Sequence, residues 1–417
     1  MKSQVAALGR NNVRLLWVML VAALAAFCYF PYVTTALAEY LGLRSPDMAT
    51  LAGLGMVAGN VLAYVASLRI ACGAAFRLLR AGYAMLLGAL VVMACAKAGT
   101  GAATLLMAGA SLVLYRFAMA LTSNLVRTAQ MQLLPDRSAK PSLFSYIKLV
   151  TSIGGACGPV LGSLAFAAAG MPAVLMLSGA LFACALGLLC RVRAPLQVQA
   201  PMARPATSLG TRVRAQPRRV ILLSSAGMLH YVFEAQIYTA IAITLQRNVA
   251  DFTPLVALLF TGNALLLVVL VVPVLRVCSA WGARHALLAG ATLLSCLAAV
   301  LAPFIAGPWS VLGVCLLFTL GEIVTPQLLV DMVTDVATDD MAADALATYN
   351  LFTSGAGLGL GYWIGGWIAA ADSALLGAVV WGVIYLAYVA TLLACRAGER
   401  ARRANSMPRD SHSQQPP

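Results

Sequence analysis

Long apolar stretches separated by short polar connections recur along almost the whole chain. A transmembrane helix needs about 20 mainly apolar residues, and charged residues lie mostly at the ends of these stretches. Residues within them do not alternate between apolar and polar, as lipid-facing strands must. The pattern predicts an all-α integral membrane protein with twelve transmembrane helices, at approximately 15–38, 47–68, 76–96, 101–125, 145–168, 171–190, 220–245, 252–275, 285–305, 309–331, 343–370 and 374–395.

The composition supports this prediction. Hydrophobic residues make up 61% of the 417 residues and charged residues only 10%, whereas an ordinary soluble domain has about 25% charged residues. So few charges cannot cover the surface of a soluble fold of this size. The first apolar stretch follows Lys2, Arg10 and Arg14 as in a signal peptide. It is longer than a signal sequence, however, and we expect it to be retained as a helix.

One polar segment divides the chain. Residues 191–219 contain seven arginines, four prolines and no acidic residue, which is too polar to span a membrane and too rich in proline for a regular helix. We expect an N-terminal six-helix half at 1–190, a cytoplasmic linker at 191–219, a C-terminal six-helix half at 220–395 and a disordered cytoplasmic tail at 396–417. The halves look related, because glycine-rich strings follow Tyr146 and Tyr349 with a slip of one residue.

The basic residues are distributed unequally between the two sides of the membrane. With the N-terminus inside, cytoplasmic segments hold 24 of the 28 Lys and Arg residues, and the opposite side holds only Arg44, Lys97 and Arg247. Cytoplasmic loops of membrane proteins are enriched in Lys and Arg, so we expect both termini and the linker to be cytoplasmic. The net charge of +14 therefore indicates orientation rather than nucleic-acid binding.

The sequence carries no signature of metal, nucleotide or covalent chemistry. The ten cysteines are scattered singly, without C-x-x-C spacing or a nearby histidine, so we expect neither a metal site nor a disulfide framework. No glycine-rich phosphate loop ends in Lys-Ser or Lys-Thr, and no Ser/His/Asp set can be assembled. We expect no cofactor and no enzymatic activity.

The fifth predicted helix carries a glycine-rich string. Gly154, Gly158, Pro159 and Gly162 follow the pattern G-x-x-x-G-P-x-x-G, and Ser163 comes next. Small residues at this spacing let helices approach closely, and Gly-Pro bends a helix. The string resembles the antiporter signature of the twelve-helix drug:proton antiporters in the major facilitator superfamily, with Ser163 in place of the signature's final glycine.

Two further motifs carry the same resemblance. Arg116, inside the fourth predicted helix, matches that family's helix-4 arginine. Glu322, which follows a glycine and precedes Pro326, is similar to an element of the family's tenth helix. The loop between the second and third helices departs from the family, because residues 59–73 lack its aspartate and the basic residues, Arg69 among them, are displaced.

The resemblance implies a secondary transporter. It implies proton-driven export of a small amphiphilic organic molecule, either a drug-like compound or a self-made metabolite such as a siderophore. We expect a monomer in the bacterial inner membrane, with its substrate, protons and lipid as partners. A nutrient importer of the same superfamily and a membrane-embedded transferase are the alternatives.

Ionisable side chains deep in the apolar stretches are the candidates for proton coupling. His230 and Glu234 are spaced by four and share one helix face, so they can pass a proton between them or simply join helices. Glu322 is the second candidate carrier. Arg116 completes the set, because a charge in hydrocarbon is costly and is usually functional or paired.

Other polar side chains predict a cavity and a gate. The predicted substrate cavity contains Tyr29, Tyr32, Tyr238 and Asn263, although each of these side chains could instead pack or bond between helices. The predicted inner gate sets Asp331 and Asp335 in the second half against Arg69 and Arg127 in the first.

Overall fold

A computed structural model describes residues 10–67, 75–133, 140–192, 211, 213, 215–281, 283–336 and 342–406. Regular secondary structure in these ranges is helical throughout. The long helices are α1 Arg10–Tyr29, α2 Ser45–Ser67, α3 Ala75–Cys95, α4 Ala102–Gln132, α5 and α6 within Lys140–Cys190, α7 Arg218–Glu234, α8 Thr253–Trp281, α9 Arg284–Leu301, α10 Pro308–Val336, α11 (Ala342–Asn350, Leu351–Gly357 and Leu358–Ala371) and α12 Ala374–Ser406.

The helices account for twelve membrane crossings. Within the described residues, ten segments are long and apolar enough to span a membrane. One of them, Tyr146–Cys190, holds two crossings, because the backbone leaves helical geometry at Ala169 and Gly170, where Gly170 has φ 68°. The apolar helix α11 adds the twelfth crossing in three consecutive helical pieces. The predicted all-α fold is confirmed.

The first helix of each half breaks in the same way. A 3₁₀ turn at Phe30–Tyr32 follows α1, and the chain then continues as the short helix Ala36–Leu41. A 3₁₀ turn at Ala235–Ile237 follows α7, and Ala240–Asn248 continues it. The residues before the two continuations, Thr35 and Thr239, have almost the same backbone angles (φ −121° and −125°, ψ −92° and −94°). The sequence predicted uninterrupted helices at both places.

Different residues support the two breaks. In α1 the turn contains Pro31, which lacks a backbone N–H and cannot continue the helical bonding. The α7 break has no proline, and side chains bond its backbone instead. Gln236 Nε2 donates to Val232 O at 2.5 Å and to Gly361 O at 3.1 Å, and Thr239 Oγ1 donates to Ala235 O at 3.0 Å.

Matching glycine stripes show that the halves are repeats. Helix α5 packs closely against α1 at Gly154, Gly158 and Gly162. A Cβ added at any of these positions would come within 2.3–2.5 Å of an α1 atom. Gly357, Gly361 and Gly365 press α11 onto α7, where an added Cβ would come within 2.3–2.6 Å of an atom of α7 or the turn that follows it. Only small residues allow backbones this close. The glycines of the two stripes therefore occupy equivalent positions in the structure. The offset of one residue that the sequence comparison suggested is absent.

The halves meet mainly through α2 with α11 and through α5 with α8. A Cβ added at Gly359 of α11 would lie 2.4 Å from Val57 of α2, and Thr261 of α8 donates to the Ala156 carbonyl of α5 at 2.7 Å. We call the two ends of the bundle the Arg10 end, where α1 begins, and the Gly42 end, where α1 turns into α2. At the Gly42 end, Ser45 donates to Gln246 at 2.8 Å.

The predicted linker and tail are only partly described. Most of 191–219 lies outside the described residues, as does 407–417. Helix α12 continues to Ser406, so the chain stays helical well into the segment 396–417 that we expected to be disordered. Basic residues and helix formers such as Ala and Arg extend the last helix there. The domain boundaries remain predictions.

Candidate functional site

A cavity of about 730 Å³ separates the halves toward the Arg10 end. It begins where the contact between α2 and α11 stops, at the hydrogen bond from Asn60 Nδ2 to Ser354 O (3.0 Å). Its walls come from α2 and α4 of the first half and from α11 of the second. The lining residues are Asn60, Ala63, Tyr64, Arg116, Met119, Ala120, Ser123, Asn124, Leu346, Ala347, Asn350, Leu351 and Ser354.

A π-helical turn forms part of the cavity wall. Residues Leu351–Gly357 of α11 form this turn, and two of them, Leu351 and Ser354, line the cavity. π-helical turns inside α-helices are rare and frequently lie at functional sites. Apart from its glycines, nothing in the sequence predicts this turn.

Arg116 is the only charged side chain among the described residues that line the cavity. It lies on α4 where α2 comes closest, because a Cβ added at Gly59 would be 2.8 Å from Arg116 Cβ. Its Nε is buried without a hydrogen-bond acceptor. In the described part of the chain, none of the ion pairs includes Arg116.

Two carboxylates lie within the second half. Glu234 of α7 approaches His230, with 3.3 Å between Oε1 and Nε2, and its side chain is 14% exposed. Glu322 of α10 accepts a hydrogen bond from Asn263 Nδ2 at 2.9 Å, and Asn263 Oδ1 in turn accepts one from Thr319 at 2.7 Å. Asn263 therefore holds Glu322 by joining α8 to α10.

His230 connects Glu234 to a buried polar cluster. The ring is fully buried, and Nδ1 lies 3.1 Å from Thr292 Oγ1. Thr292 lies 3.3 Å from Thr325 Oγ1. His230 thus lies behind Glu234, among α7, α9 and α10, and does not line the cavity between the halves.

One lysine of the first half faces the two carboxylates. Lys148 of α5 interacts electrostatically with both Glu234 and Glu322. The sequence does not single out Lys148 as a site residue, because it lies near the end of an apolar stretch, where a basic residue also indicates orientation. Asn60 was missed as well, although a polar side chain inside an apolar stretch was a usable signal.

Aromatic side chains lie between Arg116 and the carboxylates. Tyr238 interacts electrostatically with Arg116 and with both glutamates. Its ring stacks on Tyr362 at 5.9 Å between centroids and lies 4.9 Å from the ring of Phe260. The structure therefore places Tyr238 and Asn263 near the predicted proton-coupling residues, but it brings Arg116 into contact with neither carboxylate.

The other two tyrosines predicted for the cavity are packed elsewhere. Tyr29 is 1% exposed and meets Tyr115 edge to face at 5.3 Å. Tyr32 is fully buried, and its hydroxyl donates to the carbonyl of Pro159 at 2.7 Å. Neither lines the described cavity. Both join α1 to its neighbours, the alternative that the sequence left open.

The structure describes the acidic side of the predicted gate but not the side chains of its basic side. Arg69 lies outside the described residues, and the side chain of Arg127 is not described. Asp335 pairs with Arg284 of its own half at 2.7 Å, and both side chains are exposed. Asp331 accepts a long bond from Gln327 at 3.4 Å. No bond across the halves involves either aspartate among the described residues.

Solved structures of transporters share this fold. One is a mutant of the nucleoside transporter NupG, at 14% identity and a TM-score of 0.68, with 94% of this chain and 99% of that chain covered. Another is a POT family transporter in complex with a thioalcohol-conjugated peptide, at 12% identity and a TM-score of 0.71, covering 94% and 96%. A third is the peptide transporter POT in complex with sulfate (14%, 0.69, covering 93% and 94%). At these identities the likeness shows the fold alone. No curated protein matches the chain.

Two related six-helix halves around a polar cavity define a membrane transporter. The family model of the Major Facilitator Superfamily matches residues 15–362. The chain belongs to this superfamily.

Proposed function

We propose that the protein is a proton-coupled secondary active transporter that exports a small amphiphilic organic molecule, drug-like or self-made, such as a siderophore. The helix-5 string supports the drug:proton antiporter branch, and Gly158 in that string has a clear structural role, because it lets α5 contact Phe27 of α1. We further propose that the protein acts as a monomer in the bacterial inner membrane.

The orientation makes the cavity accessible for export. In the predicted topology, 24 of the 28 Lys and Arg residues lie in segments on the same side of the membrane as Arg10, which the basic-residue rule assigns to the cytoplasm. The cavity lies toward that end, and the halves touch at the Gly42 end. A molecule in the cytoplasm can therefore enter, and a rearrangement of the halves would carry it outward.

The two half-buried carboxylates, Glu234 and Glu322, carry this proposal. A carboxylate in apolar surroundings is favoured in its protonated form, and a nearby cation favours the ionised form. Lys148, from the opposite half, supplies that cation. Movement between the halves changes its distance from the carboxylates and so can release or bind the proton. We assign Glu234 as the carrier, with His230 as relay, and Glu322 as the second candidate.

The experiment compares Glu234→Gln and Glu322→Gln in inside-out membrane vesicles with an acidic interior. Three labelled probes cover the charge classes: salicylate, tetraphenylphosphonium and chloramphenicol. Salicylate is informative because a weak acid distributes passively toward the alkaline side, so its accumulation in the acidic interior requires export. The carrier variant should lose gradient-driven accumulation and keep gradient-free exchange. Glu39→Gln, at the Gly42 end, is the matched control and should transport normally.

Two outcomes would overturn parts of this proposal. If both glutamine variants still accumulate the probe under a pH gradient, neither carboxylate carries the proton. If wild-type protein moves probes only into right-side-out vesicles, the protein is a nutrient importer of the same superfamily.

A further inference from the structure

Arg116 places a partly buried charge in the wall of the cavity between the halves. A charged side chain inside a membrane protein normally pairs with an opposite charge, because an uncompensated one is costly. Within the described residues Arg116 has no ion-pair partner, its Nε has no acceptor, and no carboxylate lines the cavity. The described lining residues thus give the cavity one positive charge and no negative charge.

Two further donors lie near Arg116, outside the described cavity lining. Tyr115 and Tyr362 lie close enough to interact electrostatically with Arg116, and the hydroxyls of both are buried without a hydrogen-bond partner. An oxyanion accepts bonds from a guanidinium fork and from hydroxyls, and such charge-assisted bonds are the strong ones. Buried polar groups normally find partners, so the unpaired Nε of Arg116, on a side chain that lines the cavity, indicates a ligand there.

The carboxylates of the second half do not fill this role. Glu234 approaches His230, Glu322 accepts from Asn263, and both face Lys148. Apolar side chains such as Met119 and Leu346 line the cavity together with uncharged polar ones such as Asn60. An amphiphile with one anionic end and an uncharged remainder fits this lining.

We propose that Arg116 binds the anionic group of the transported molecule, so that the substrates are amphiphilic organic anions bearing a carboxylate or a similar oxyanion. This assignment of Arg116 rests on the proposed transport function, but the first experiment measures only the charge of the cavity. A failure of transport and a failure of this assignment are therefore distinguishable.

The first experiment measures the charge of the cavity and does not require an identified substrate. Ala120 follows Arg116 by one helical turn and lines the cavity, so the Ala120→Cys variant places a thiol beside the guanidinium. No cysteine is among the lining residues, and the wild-type chain gives the background. Methanethiosulfonate reagents of opposite charge are compared for their labelling rates. Adding Arg116→Gln should lower the ratio of the anionic to the cationic labelling rate by about tenfold. One charge at ~6 Å in water attracts the anionic reagent and repels the cationic one, and the two Coulomb energies together correspond to this factor.

Matched variants keep this experiment specific. Arg116→Lys should preserve most of the ratio because it keeps the charge. Arg80→Gln removes an exposed arginine outside the cavity and should leave the ratio unchanged. A ratio that does not change in Arg116→Gln, or that changes equally in Arg80→Gln, overturns the assignment.

The second experiment measures binding. Purified protein in nanodiscs is heated with indole-3-acetate, indole-3-acetamide or tryptamine, which share one skeleton and differ in charge. The anion should raise the unfolding temperature more than the amide, and Arg116→Gln should abolish this difference while Arg116→Lys retains part of it. Equal stabilisation by anion and amide, or none by any probe, would overturn the proposal.

Discussion

The glycine stripe of α5 gives a prediction whose size follows from distances. The substitution Gly158→Ala adds one methyl group where α5 crosses α1. That carbon would lie 2.5 Å from Phe27 Cβ and 2.9 Å from the Phe27 carbonyl carbon. Carbon atoms pack at about 3.5–4.0 Å, so the two helices must separate by roughly 1 Å. Because backbone atoms are involved, a change of side-chain rotamer cannot relieve the clash.

The net effect is a balance of two terms. Overpacking a close-packed interface costs about 1–3 kcal/mol, and contact with backbone atoms places this site near the upper value. Replacing glycine by alanine within a helix stabilises the folded state by about 1 kcal/mol through helix propensity. The expected net destabilisation is about 2 kcal/mol. The equivalent position of the second half, Gly361, should behave similarly, because an added Cβ there would lie 2.5 Å from Ala235 Cβ.

Thermal unfolding in nanodiscs, followed by tryptophan fluorescence, measures this effect. The control is Gly88→Ala, where an added Cβ meets no atom within 4 Å and only the gain in helix propensity remains. Gly158→Ala should therefore melt several degrees below Gly88→Ala. If it melts at the same temperature or higher, close packing does not explain the glycine of the helix-5 string.

Two further predictions concern orientation and gating. Reporter fusions at positions 205 and 410 should both report a cytoplasmic location, because the predicted topology puts 24 of the 28 basic residues on that side, as in other membrane proteins; an external signal from either would contradict the topology. Neutralising Asp331 and Asp335 together should raise the population with the cavity open to the cytoplasm in spin-label distance measurements, since each exposed cross-gate pair contributes at most about 1 kcal/mol to the closed gate. Unchanged distance distributions would show that these aspartates form no latch.

The number of crossings could be predicted because the bilayer itself sets the length of apolar sequence that a helix needs. The interruptions within the helices could not. The break before Thr239 involves no proline and depends on Gln236, which bonds across to Gly361 of α11. The π-helical turn at Leu351–Gly357 likewise lies where α11 contacts both halves. Such features depend on long-range packing that local sequence does not contain.

The candidate site was predictable where it depends on one helix. Spacing by four placed His230 beside Glu234, and the structure shows their contact. Aromatic spacing on α1 did not separate a cavity wall from packing, and Tyr32 in fact bonds to the backbone of α5. The separation of Arg116 from Glu322 could not be predicted from the sequence either, because it depends on which helices pack together between the halves.

The charges of the two halves also constrain how the protein couples protons to substrate. Antiport requires substrate and proton to exclude each other, whereas an anion held by Arg116 would repel an ionised Glu234 and so favour its protonated form. Charge alone would therefore give cotransport, as in an importer. An exporter needs a second contact, in which the far end of the substrate displaces the proton near Tyr238 and Glu234. The pH dependence of anion binding separates these cases: binding that strengthens as pH falls argues for import, and binding that weakens argues for export by a substrate that reaches both halves.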